Sequence, residues 1–69
     1  MQVGKRVREL RTEQKLSMKE LAARAGTSYS TVSRLETNNI YPRVETLVRI
    51  ATALDASVSA LLQGEEDAS

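Results

Sequence analysis

Leu21-Ala22-Ala23-Arg24-Ala25-Gly26-Thr27, running directly into Ser28-Tyr29-Ser30-Thr31-Val32-Ser33-Arg34-Leu35, is the stretch that decides the fold. It reads as two short helices joined by a tight glycine turn. Leu21, Ala22 and Ala25 form the inward face of the first helix, expected over residues 18–25. The alanines are small enough to let the next helix come close. Gly26 ends the helix, because the residue past a helix end often needs a positive φ that glycine adopts without steric cost. Thr27 is then expected to cap the second helix, over residues 28–36. That helix has two strong apolar anchors, Val32 and Leu35. Its other positions include Ser28, Tyr29, Ser30, Thr31, Ser33 and Arg34. Short hydroxyl residues are mediocre helix formers, so this helix is either weak or is using them.

Upstream, Ser17-Met18-Lys19-Glu20 is a capping box, and Leu16 and Leu21 bracket it as a hydrophobic staple. Val3, Val7 and Leu10 recur at the spacing of a helix face, predicting a first helix over residues 3–14. Downstream, Thr37-Asn38-Asn39-Ile40-Tyr41-Pro42 reads as a loop, since asparagines suit turns and Pro42 disfavours a helical Tyr41. Leu47, Ile50, Ala51 and Leu54 then form the most regular apolar stripe, on a helix over residues 44–54. Asp55-Ala56-Ser57 breaks that helix, and Ser57 can cap a last short one holding Val58, Leu61 and Leu62. Gly64 is expected to end the ordered part. The fold expectation is therefore all-α: a compact five-helix domain over residues 1–64 and an acidic flexible tail over residues 65–69.

Composition narrows the function. With 69 residues, the chain has room for one small core. It has no Cys and no His, which removes disulfides, thiolates, the usual general base and the commonest metal ligand. The carboxylates lack the spacing of a calcium loop. No catalytic set, metal site or cofactor is expected, and an enzyme is disfavoured. No apolar run approaches a membrane span and Met1-Gln2-Val3-Gly4-Lys5 lacks a secretory signal's apolar core, so a cytoplasmic location is expected. Residues 1–64 hold ten Lys/Arg against six Asp/Glu, whereas the last five carry three acidic groups. The body is mildly basic, which suits nucleic acid without demanding it.

The ordered set Val7, Leu10, Leu21, Ala22, Ala25, Gly26, Val32, Leu35, Pro42, Leu47, Ile50, Ala51, Leu54 and Leu61-Leu62 resembles the helix-turn-helix domain of lambdoid phage repressors and Cro. This is the large xenobiotic-response-element-like family of bacterial regulators, and the resemblance covers residues 4–62. It implies a sequence-specific transcription regulator, with repression favoured, whose third helix lies in the major groove of double-stranded DNA. The resemblance places Ser28, Tyr29, Ser30, Ser33 and Arg34 at the bases or adjoining backbone. Arg34 has the chemistry to bridge guanine O6 and N7. Arg11, Met18, Lys19, Thr27, Asn38 and Arg43 are the expected phosphate contacts, and Gly26 and Glu36 the structural positions. The resemblance also pairs Arg11 with Glu36. Two positions depart from the family pattern. Met18 stands where a polar side chain is usual, leaving backbone amides and Lys19 for that contact. Arg43 stands where Ser or Thr usually caps the fourth helix, exchanging a cap for a cation.

One reading helix spans few base pairs, so a homodimer on a two-fold site is expected. The resemblance implies an interface at the loop around Ile40 and the last helix, with Val58 and Leu61, and Ile40 either meets the partner there or plugs the core beneath its loop. The alternative is an antitoxin or another protein-interaction module on the same body, with a toxin or other protein as partner.

Overall fold

The computed structural model describes residues 3–38 and 40–66, with side chains described as far as residue 62. Five helices follow in order: α1 (Val3–Glu13), α2 (Met18–Ala25), α3 (Tyr29–Asn38), α4 (Val44–Ala53) and α5 (Val58–Glu66). None of the helices among the described residues is long and apolar enough to cross a membrane. The main contacts close a ring: α1 packs on α3 and α5, α2 on α3 and α4, and α4 on α5. The core inside it is wholly apolar, with Val3, Val7, Leu21, Val32, Ile50 and Leu61 fully enclosed and Leu35, Leu47 and Leu54 nearly so. Among the described residues no polar or charged residue joins it, and the Glu36 side chain lies covered beside it.

Three junctions share one set of hydrogen bonds. After α2, Gly26 sits at φ 69°, its N–H donates to the Ala23 carbonyl and the Thr27 N–H to that of Ala22. After α1, Lys15 sits at φ 59°, with Lys15 donating to Thr12 and Leu16 to Arg11. After α4, Asp55 sits at φ 56°, with Asp55 donating to Thr52 and Ala56 to Ala51. Each is a left-handed helix cap that satisfies two otherwise unpaired carbonyls. One residue further on, a serine begins the next helix. Ser17 accepts from the Glu20 N–H at 3.0 Å, Ser28 from Thr31 at 3.2 Å and Ser57 from Ala60 at 3.1 Å. At Ser17 the capping box is complete, because the Glu20 carboxylate accepts from the Ser17 N–H at 2.9 Å.

Several boundaries differ from the sequence expectation. Ser28, not Thr27, caps α3, because the left-handed turn at Gly26 consumes the Thr27 N–H and leaves Ser28 at the non-helical entry. α3 continues through Thr37 and Asn38, which were expected in the loop. The Thr37 hydroxyl donates to the Ser33 carbonyl at 2.6 Å within the added turn. Asn39, expected as a turn residue, lies outside the described residues. α5 runs past Gly64 to Glu66. Glycine costs a helix roughly 1 kcal/mol without forbidding it. Residues 67–69 of the acidic tail lie outside the described residues.

The strongest polar link is between α1 and α3. Arg11 donates Nε to one Glu36 oxygen at 2.8 Å and an Nη to the other at 2.9 Å. Its second Nη donates to the Leu16 carbonyl at 2.7 Å. The Glu36 side chain is 3% exposed and that of Arg11 12%. The bond to Glu36 holds the guanidinium pKa above its ordinary value, while burial pulls it down. Gln14, just past α1, donates to the Leu54 carbonyl at the cap of α4 at 2.7 Å, and Arg6 of α1 donates to the Ala60 carbonyl in the first turn of α5 at 3.3 Å.

Substitutions at the turns, the fork and the capping box check these terms. A Cβ at Gly26 would meet nothing within 4 Å. Gly26→Ala is therefore expected to cost only its backbone strain, about 1–2 kcal/mol in thermal unfolding. Lys15→Gly and Asp55→Gly should move the other way, by less than about 1 kcal/mol because glycine also loosens the unfolded chain. Arg11→Ala should cost about 2–4 kcal/mol, since it leaves the covered Glu36 carboxylate without its fork. Replacing both partners with methionine should cost less than that single change. The Glu20 carboxyl is held below its ordinary value of 4.5, first by the Ser17 N–H and then by the Ser17 side chain and the charge of Arg24. A lowered folded pKa means this contribution is complete above the ordinary value and is lost as pH falls through the lowered one. Glu20→Gln keeps a cap acceptor without the titration. It should flatten the acid limb of stability in urea unfolding below about pH 4.5.

Candidate nucleic-acid interface

α3 is clamped on two sides and open on the third. Val32 is fully buried and Leu35 is 1% exposed. α1 and α2 cover that face, with Glu36 tied to Arg11 beside it. The opposite face carries Tyr29, Ser30, Arg34, Thr37 and Asn38, all exposed, and Ser33 half-buried at its edge. At 100° per residue, Tyr29, Ser30, Ser33, Arg34 and Thr37 fall within one wide stripe. Tyr29, 48% exposed, carries the largest ring on it. An exposed helix flanked by short polar side chains fits the width of a DNA major groove.

Hydrogen bonding separates the hydroxyls by role. Ser28 accepts from Thr31 N–H, and its Oγ lies 2.9 Å from the Thr31 Oγ1. Its side chain is exposed but already serves as the cap. Thr37 spends its proton on Ser33. Among the described residues, Ser30 and Tyr29 make no such helix bonds, and the exposed Arg34 fork has no hydrogen-bond or ion-pair partner. Of the base-facing set expected from the sequence, Tyr29, Ser30, Ser33 and Arg34 lie together on this stripe, and Ser28 sits off it at the entry of α3. Among the described residues, Tyr29, Ser30, Ser33 and Arg34 are the members with uncommitted side-chain polar groups, and Ser28 is the one whose hydroxyl is spent.

The expected phosphate contacts are less uniform. Lys19 is exposed in the first turn of α2, Asn38 is exposed at the end of α3, and Arg43 is exposed at the start of α4. As the family departure implied, Arg43 makes no side-chain cap bond to α4. Thr27 is half-buried, with its N–H committed to the α2 cap. Met18 is half-buried and packs on the core, so its side chain is a packing group and only its backbone faces the helix start. Arg11 is primarily a strut, with one end of its guanidinium spent on Glu36 and the other on Leu16. Only its small exposed remainder is open to an anion.

The expected dimer residues separate. Ile40 is 51% exposed and not a plug beneath its loop. Val58 is half-buried against the core. Leu61 is fully enclosed, so it cannot form part of an exposed interface as expected. α5 packs on α1 and α4, and Leu61 belongs to the core they share. Thr37, Tyr41, Val44 and Val48 are exposed positions that the sequence reading did not single out. Thr37 was missed because α3 was ended a turn early.

Residues 7–61 match the helix-turn-helix family. The immunity repressor protein of Bacillus phage phi105 is 39% identical over 66 residues, covering 96% of this chain and 45% of the repressor. The restriction-modification controller protein C.AhdI from Aeromonas hydrophila superposes with a TM-score of 0.82 at 35% identity, over 87% of this chain and 91% of that one. The N-terminal DNA-binding domain of SinR from Bacillus subtilis does so with a TM-score of 0.82 at 36% identity, over 87% and 88%. The chain spans about half the length of the curated relatives it matches, 45% of the phage repressor and 60% of SinR. With the exposed helix held across a glycine turn and this agreement over nearly its whole length, the chain belongs to the helix-turn-helix family.

Proposed function

We propose that this chain is the DNA-binding part of a transcription regulator, a repressor in preference to an activator, acting in the cytoplasm on double-stranded DNA. The observation that carries this reading is the asymmetry of α3. Its apolar anchors are enclosed by α1 and α2, while Tyr29, Ser30 and Arg34 face solvent on one stripe. Arg34 bridges the acceptor edge of a guanine, and Ser30 and Tyr29 contact neighbouring base edges or backbone. Lys19, Asn38 and Arg43 rim that stripe and bind phosphate, with Thr27, the α2 backbone at Met18 and the exposed edge of Arg11 adding to it. Two copies on a two-fold site supply the specificity that one helix lacks.

A second reading, an antitoxin or similar protein-binding module, draws support from Met18, which gives the start of α2 no polar side chain. Salt separates the two. Phosphate contacts make DNA affinity fall steeply as salt rises. A protein partner would instead co-purify in fixed stoichiometry.

Selection of bound duplexes from a random pool tests the DNA reading directly, and recovery of no preferred sequence would overturn it. On the selected duplex, Arg34→Ala should cost about 1–3 kcal/mol and relax preference at one base-pair position. Arg43→Ala should weaken binding evenly across sequences and lower the salt slope by about one. Arg43→Ser should show the same binding loss while gaining up to about 1 kcal/mol in thermal stability, because serine restores the missing cap of α4.

A further inference from the structure

The last turn of α3 holds an exposed side chain that the fold does not need. Thr37 lies about 140° around the helix axis from the buried Val32 and about 160° from Leu35, so it stands almost opposite the packed face. Ser30 shares that outermost line, and Ser33 lies beside it. The two long side chains of the stripe flank this line, Tyr29 about 80° to one side of Thr37 and Arg34 about 60° to the other. Short side chains on the outermost line let a helix settle close to the base edges, with the long ones reaching past on either side.

Thr37 differs chemically from its two short neighbours. Its hydroxyl donates to the Ser33 carbonyl at 2.6 Å, which turns the oxygen back against the helix and leaves the γ-methyl as the outward group. A hydroxyl has one proton, and this one is spent, so none is left for a phosphate or a base acceptor. What Thr37 offers outward is apolar, and of Ser30, Ser33 and Thr37 it alone carries a methyl. In the major groove the base edge that presents a methyl is thymine, at C5.

We infer that Thr37 reads a thymine by contact between the two methyl groups. This rests on the DNA reading above, and adds to it a specificity residue and the base it selects. Thr37 lies three residues beyond Arg34, about 4.5 Å along the axis, against a base-pair step of ~3.4 Å. The thymine is therefore within about two base-pair steps of the guanine that Arg34 reads. The bond back to Ser33 is part of the device. It holds the threonine in one rotamer, so the methyl is presented with little side-chain freedom left to lose on binding.

Deoxyuridine is thymidine without that methyl, and it supplies the test. On the duplex selected from the random pool, each thymine of the half-site is replaced by it in turn. Wild-type affinity should fall about fourfold at one of them, close to the position that Arg34→Ala relaxes, as expected for one methyl taken out of contact. Thr37→Ser keeps the hydroxyl and its bond to Ser33, and should bind the thymine and uracil duplexes alike. Thr37→Val keeps the methyl without the hydroxyl, and should keep the preference. Damage to the helix alone would weaken both duplexes equally and leave their ratio unchanged. A selected half-site with no thymine, no uracil penalty at any thymine, a Thr37→Ser chain that discriminates as the wild type does, or a Thr37→Val chain that does not discriminate overturns the thymine contact and leaves the DNA reading standing. Recovery of no preferred sequence overturns the DNA reading, and the thymine contact with it.

Discussion

The repeated junction is the constraint on which this fold depends. A left-handed residue, one spacer and a serine cap connect α1 to α2, α2 to α3 and α4 to α5. Each satisfies two carbonyls at one helix end and an amide at the next, in three residues. So short a link leaves the entering helix few directions. The apolar faces at Leu21, Val32 and Ile50 then meet inside the ring, and α3 is left with one side bare. A domain of this size buries only about 60% of its unfolded surface, so it has little apolar gain to spend on floppy connections. Two of the junctions put Lys15 and Asp55 at positive φ, a strain of roughly 1 kcal/mol or more each. The structure sustains it because the same turns deliver Leu16 and Ala56 into or against the core.

The Arg11–Glu36 fork works on orientation more than on net stability. Removing two charges from water is costly, and a covered ion pair often does no better than a hydrophobic pair of the same shape. The fork does fix geometry. Two parallel bonds lock the planes of guanidinium and carboxylate together, which a single ammonium could not do. Its third bond reaches the Leu16 carbonyl, in the turn that starts α2. One side chain on α1 thereby holds both helices of the glycine-turn pair, the scaffold and the one with the bare face. That position is too enclosed for a principal DNA contact and well suited to aiming one.

Much of this was legible in the residues, for reasons that can be named. Leu47, Ile50, Ala51 and Leu54 repeat at helical spacing, and Ser17 with Glu20 spells a capping box, so α4 and the start of α2 follow from periodicity and side-chain chemistry. Gly26 marks its own turn because glycine is the default residue at positive φ. Lys15 and Asp55 adopt the same conformation without that mark, and only the hydrogen bonds around them reveal it. The end of α3 was read too early for a related reason. Thr37 and Asn38 are poor helix formers, but a hydroxyl bond back to Ser33 and the packing of Leu35 outweigh propensities worth a few tenths of a kcal/mol. Leu61 was placed at an interface by resemblance. Its i, i+3 relation to Val58 showed an apolar face, but not which neighbour would cover it. The exposed stripe of α3 was readable because its residues were the ones the core did not need.

The junction between α3 and α4 is where the pattern lapses. Arg43 occupies the cap position of α4 and makes no cap bond, so the helix gives up about 1 kcal/mol that a serine would return. The same connection exposes Ile40, Tyr41 and Val44, which cost apolar hydration without any return within one chain. Local rules are broken here together, while the other three junctions keep them. Sequences that otherwise agree with their fold at every level tend to break local rules where something outside the fold must be satisfied. A cation turned to solvent beside uncovered apolar side chains is such a place, because neither repays its exposure within one chain. Had the connection been only a spacer, a serine cap and a polar loop would have served it better.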